Sequence, residues 1–169
     1  MKIEVKNIKT NMAFSEETIC FKADVYVDGK KVAYAENNGH GEFTNVRPYL
    51  QKNTINLFKD ASEYLSSKGT SKYEEIYSLE NFVDDAINSY VDEKENKKFE
   101  TKKNKHTEKF IVICKENEKD YTTIGFGKHT IAELLKFDAG RNAIKKSIDK
   151  YKGLGYTIYN KNIPTEILN

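Results

Sequence analysis

The sequence predicts an α+β fold in which antiparallel β-hairpins pack against amphipathic helices, in a single compact domain over residues 1–169. Three observations carry this reading. Segments of period-two hydrophobicity come in pairs joined by turn residues. Segments of helical period come in pairs after them. The chain is of ordinary domain length. Its 11 tyrosines and 9 phenylalanines supply bulk for a core despite a charged fraction of 32%.

The elements follow in order. Residues Lys2 to Ile8 alternate, with Ile3, Val5 and Asn7 on one face and Lys2, Glu4 and Lys6 on the other, which predicts a first strand. From Thr18 to Val27 the apolar face is Ile19, Phe21, Ala23, Val25 and Val27. Asp28-Gly29 then supplies the positive φ angles of a two-residue hairpin turn. Lys31 to Glu36 returns as the partner strand, and Asn37 to Lys52 reads as a loop. Leu57, Phe58, Ala61, Tyr64 and Leu65 fall on one face of a helix that Gly69 can end. Ser71 and Glu74 have capping-box spacing ahead of a longer helix whose stripe is Leu79, Phe82, Val83, Ala86, Ile87, Tyr90 and Val91.

Residues 92–107 are polar and either prolong that helix or form a mobile connection. Phe110 to Cys114, a turn at Glu116 to Lys119, and Tyr121 to Phe126 predict a second hairpin. Thr130 can cap a short helix holding Ile131, Leu134 and Leu135. Asp138 can cap another holding Ala143, Ile144, Ile148 and Tyr151, stopped by Gly153 and Gly155 before a last strand from Tyr156 to Tyr159.

Composition excludes several classes. Nine glycines and two prolines rule out collagen-like and low-complexity chains. No apolar run approaches the length of ~20 residues that a membrane-spanning helix needs. A net charge of +2 argues neither for nor against nucleic acid. The first ten residues lack the apolar stretch of a signal peptide, so the expected compartment is the cytoplasm, with Cys20 and Cys114 reduced and buried. The absence of CxxC, HExxH and GxSxG, with His40, His106 and His129 the only histidines, predicts no metal site and no cofactor.

The densest group of special residues is Asn37-Asn38-Gly39-His40-Gly41. Glycines there allow close approach of a ligand to the backbone, the asparagines can bond local amides or a base edge, and His40 can carry a proton. Arg47 offers a fork for phosphate or carboxylate. The predicted ligand-binding set is Asn38, Gly39, His40, Gly41 and Arg47, joined by Lys128 and Thr130 from a second turn.

That turn, Gly125 to Thr130, sits between strand and helix like an anion-binding loop. A nucleotide P-loop would need glycine in place of Thr122, and Ser or Thr in place of His129. A helix cap explains the turn better. Lys97 to Lys105 could track phosphates with Phe99 stacking a base, although Glu93, Glu95 and Glu100 dilute the charge. Asp84-Asp85 are expected to be exposed acids opposite or flanking the stripe and Glu16-Glu17 stand at a strand entrance, and neither pair has a histidine or cysteine partner that makes a catalytic or zinc-binding set by spacing.

Residues Ser15 to Phe21, Val25 to Val32, Asn38-Gly39-His40-Gly41, Pro48 and Ala132-Glu133-Leu134-Leu135 resemble a family of small uncharacterised proteins encoded by phages and bacterial mobile elements. Members of that pattern tend to follow Gly-His-Gly with another glycine and an acid, whereas Glu42, Phe43 and Thr44 follow here. The resemblance implies a cytosolic accessory protein acting on host or phage components, and carries no activity with it.

With no complete catalytic set, the expectation is a binding protein that blocks a host protein, such as a defence protein, or sequesters a small nucleotide. An alternative is a nucleotide or phosphodiester enzyme with His40 as acid–base and Arg47 or Lys128 steadying the phosphate. Another is a nucleic-acid-binding factor using Lys97 to Lys105. A strand exposed at the first hairpin could also pair across a homodimer.

Overall fold

The computed structural model describes residues 1–68, 77–115 and 120–169. The fold is α+β, with antiparallel sheets and amphipathic helices. The chain divides into two compact units, Met1–Lys94 and Glu95–Asn169, each with its own hydrophobic core.

The first unit holds a four-stranded antiparallel sheet in the order β1-β2-β3-β4: β1 Ile3–Thr10, β2 Phe21–Val27, β3 Lys30–Asn37 and β4 Asn45–Pro48. The β2–β3 turn is Asp28-Gly29, with φ of 47° and 81°. Both lie in the left-handed region, as an Asp-Gly pair predicts. Phe21, Ala23, Val25 and Val27 are buried while the residues between them are not, so strict alternation marks the inner face.

The sheet differs from expectation in three places. β2 begins at Phe21, because Thr18, Ile19 and Cys20 belong to the segment that folds over the Asn37–Gly41 loop. β1 carries a bulge between Lys6 and Lys9, where Asn7 takes φ 53° and bonds Asp24. The irregularity turns Asn7 outward and restores Ile8 to the core side. Asn45 to Pro48, within the segment read as loop, forms the edge strand β4. Consequently β2 has neighbours on both sides, β3 is flanked by β2 and over Ala33–Glu36 by β4, and the edge strands of the sheet are β1 and β4.

Helix α1 (Lys52–Ser66) and the start of α2 (Leu79–Thr107) cover the inner face of this sheet. Ala61 and Leu65 from α1, and Leu79, Val83 and Ile87 from α2, meet the sheet's small and β-branched side chains. Gly69, Ser71 and Glu74 lie outside the described residues, as does the turn at Glu116 to Lys119.

Polar residues 92–107 form the second half of α2, not a connection without regular structure. In the second unit, β5 (Ile111–Lys115) pairs antiparallel with both β6 (Thr122–Ile124) and β7 (Tyr156–Ile158), giving the order β6-β5-β7. Ile111 and Ile113 pack on Ile131 and Leu134 of α3 (Ile131–Leu134), on Ile144 and Ile148 of α4 (Asp138–Gly153), and on Ile167 of α5 (Thr165–Leu168). Asp138 does not cap α4: Phe137 is the N-cap, without a side-chain bond, and Asp138 pairs instead with Arg141. Asn160, buried in this unit, accepts from the Val112 amide and donates to the Thr107 and Phe110 carbonyls. One side chain thereby satisfies three backbone groups around β5.

No helix among the described residues is long and apolar enough to cross a membrane. Cys114 is buried and Cys20 partly so.

Candidate functional site

The loop after β3 is built around Asn37, 6% exposed at the end of that strand. Its side-chain oxygen accepts from Thr18 Oγ1 and from the Gly39 amide, both at 2.8 Å. Its side-chain nitrogen donates to the Glu42 carbonyl at 2.8 Å and to Thr44 Oγ1 at 3.5 Å. One amide side chain therefore closes the turn in both directions. The Gly39 carbonyl accepts the amides of Glu16, Glu17 and Thr18 at 2.9, 3.1 and 3.4 Å, which folds the segment before β2 against the loop. Gly39 has φ 94°, and a Cβ there would collide with the Phe14 carbonyl oxygen. This position therefore requires glycine.

At the far end of the loop, Thr44 is 6% exposed and donates to Asp84 Oδ1 of α2 at 2.5 Å. Burial pushes the Asp84 carboxyl above the usual carboxylate range, and Asp85 and Glu80 push the same way against the Thr44 hydrogen bond. Asp84 is thus a half-buried anchor, not the exposed acid its place beside the stripe suggests. Its neighbour Asp85 accepts from the Tyr77 hydroxyl at 2.6 Å. Burial first, then that carboxylate, raises the phenol to about 12.

Loop, preceding segment and α2 line an open cleft of about 660 Å³. Glu16, Glu17, Glu42, Asp84 and Asp85 contribute to its walls, and no lysine or arginine does so among the described residues. On its rim stands Phe43, 99% exposed between buried Thr44 and a loop pinned by Asn37. Phe14 and Met12, in the 3₁₀ turn Met12–Phe14, are also more than half exposed, and the Phe14 carbonyl lies against Gly39.

Each predicted binding residue of the first unit has its own surroundings. Asn38 donates to Glu42 Oε2 at 3.1 Å from its side-chain nitrogen. His40 is exposed, with Nδ1 3.2 Å from Glu16 Oε2, a partner 24 residues away that sequence spacing does not reveal. Gly41 lines the cleft, and its amide meets Thr18 Oγ1. Arg47 lies on β4 with its guanidinium 3.6 Å from Glu36, so its fork already faces a carboxylate.

Lys128 and Thr130 belong to the second unit. Thr130 caps α3 in a reciprocal box with Glu133. The Thr130 hydroxyl takes the Glu133 amide, and the Glu133 carboxylate takes the Thr130 amide at 2.8 Å. That amide holds the Glu133 carboxyl below its ordinary value. The cap reading of this turn therefore accounts for its threonine, while Lys128 is exposed on the turn itself.

Comparison with protein-family models, with curated proteins and with solved structures returns no match. No group of three or more metal-ligating side chains forms among the described residues.

Proposed function

We propose that this chain is an accessory protein that acts by binding, and that it blocks a host protein by docking the Asn37–Thr44 loop with Phe43 as its apolar anchor. The observation that carries this reading is a wholly exposed phenylalanine on a loop whose flanking residues are buried and hydrogen-bonded. The fold forgoes the roughly 1.5–3 kcal/mol that burying such a ring contributes, and a partner's apolar pocket can recover it. Met12 and Phe14 are exposed as well, and the Phe14 backbone carbonyl lies against Gly39 of the same loop. The acidic cleft next to Phe43 favours a protein over a nucleotide, since carboxylates repel phosphate and no lysine or arginine lines it among the described residues. The host setting draws its support from the likeness of residues 15–48 to proteins of phages and mobile elements.

Affinity capture with the intact chain and with Phe43→Ser tests this, alongside a thermal-shift screen of mono-, di- and cyclic nucleotides. The expected result is one partner whose affinity falls about 10- to 100-fold in Phe43→Ser, with no nucleotide shift. Equal capture by both proteins, or a melting temperature raised by a nucleotide, contradicts it.

One observation favours a second reading. Glu16 on Nδ1 of His40 is the arrangement that orients a histidine for proton transfer through Nε2. A phosphodiester enzyme built on this pair predicts turnover that disappears in His40→Ala while the fold persists; turnover unchanged in that variant removes it.

A further inference from the structure

We infer that the second unit carries a separate binding face, a row of lysines on the second half of α2 that holds duplex nucleic acid by its phosphate backbone without reading sequence. In the linear sequence the lysines of this stretch are interrupted by acids. The helix sorts them. Lys98, Lys102 and Lys105 are spaced i, i+4 and i+7 and share one face, all exposed. Lys109, also exposed, follows one turn later, its amide still bonded to the His106 carbonyl.

Glu100 lies away from this row, paired with Lys103. That lysine is withdrawn as well: its side chain is 9% exposed, with Nζ 4.1 Å from the Tyr159 ring centroid. Glu95 lies on the same face one turn before Lys98, and Glu108 precedes Lys109, so an acid stands at each end of the row and none within it. Lys103 and Glu100, which in the linear sequence belong to one diluted cluster, neutralise each other in space and leave the row cationic.

The row runs about 16 Å along the axis at ~1.5 Å per residue. Duplex DNA presents one charge per ~1.7 Å, so the whole row can face phosphates at once. Lysine suits this task as a mobile point charge, whereas base reading favours Arg, Asn or Gln forks.

The alternatives fit less well. A base-stacking single-strand site needs a free aromatic platform. Phe99 is instead engaged edge-on by Tyr121, with ring centroids 5.3 Å apart. A membrane-surface helix needs an apolar face open to lipid, whereas the side away from the row is packed through Lys103 on Tyr159.

The test is fluorescence anisotropy of the full chain with a labelled random-sequence duplex, over a salt range of about 50 to 200 mM. Four lysine–phosphate contacts predict a log–log slope near −3.6, an affinity loss of about 150-fold over that range. Lys98→Gln with Lys105→Gln should halve the slope, leaving a loss of about 12-fold. Lys145→Gln with Lys146→Gln, exposed on α4, should leave the slope unchanged. Absence of binding at the lowest salt overturns the inference. So does an equal fall in slope from the α4 pair, or binding to vesicles containing anionic lipid with none to the duplex.

Discussion

Asn37→Ala should cost about 3 kcal/mol, more than any other polar truncation in the loop. The magnitude follows from its bonds. Three contacts at 2.8 Å are lost, to Thr18 Oγ1, the Gly39 amide and the Glu42 carbonyl. Each contributes roughly 0.5–1.5 kcal/mol net, so about 1.5–4.5 kcal/mol brackets the loss. The neighbouring Asn38→Ala removes one exposed bond to the Glu42 carboxylate. It should cost under about 0.5 kcal/mol. Urea unfolding followed by far-ultraviolet circular dichroism reads the difference. With a slope of about 1–3 kcal/mol per molar urea, the Asn37→Ala midpoint should fall by about 1–3 M while that of Asn38→Ala barely moves. If the two variants unfold together, Asn37 does not organise the loop and the platform under Phe43 is held by something else.

Two other outcomes follow from the same bonding. Burial raises the Asp84 pKa in the fold, so the folded chain favours the proton. The penalty of ionisation is present above the raised value and disappears as pH falls through it toward the ordinary 3.8. Asp84→Asn should therefore gain urea stability over the parent at neutral pH and lose that advantage in acid below the ordinary carboxylate value. A loss at neutral pH would mean that the Thr44 bond to an ionised carboxylate outweighs burial. Thr130→Ala should cost about 1 kcal/mol through loss of the α3 cap, and Thr130→Ser should retain most of it. A null effect of Thr130→Ala on the urea midpoint would return Thr130 to the candidate ligand residues.

How much of this is legible in sequence depends on the range of the interaction. The Asp28-Gly29 turn and the buried Phe21–Val27 face are written within a few residues, in turn chemistry and period-two alternation, and the fold class follows from such local signals. The Asn37–Gly41 loop is visible as a cluster of special residues, but its organiser is not. Asn37 looks like one more loop asparagine because its partners, Thr18 and Thr44, have no sequence mark linking them to it.

The pairing of Thr44 with Asp84 spans 40 residues and that of His40 with Glu16 spans 24, separations over which spacing carries no information. Asn45 to Pro48 escapes notice as a strand because four residues at a sheet edge are too few to show a period. The proline there tolerates the edge by needing no ladder donor. The bulge at Asn7 likewise hides in sequence: strict alternation assigns Asn7 to the inner face, and only the left-handed residue lets Ile8 take that place. Among the acids, the helical stripe locates Asp84 beside the core but cannot show that the loop folds over it.

The most direct test of the binding account replaces Phe43 with a photoreactive phenylalanine analogue and illuminates bacterial host cells making the full chain. The account predicts one discrete adduct with a second, larger protein from position 43, and none from the same analogue at exposed Lys30 on the opposite end of β3. Adducts of equal yield at both positions, or no adduct from position 43 in a chain that folds, would contradict it.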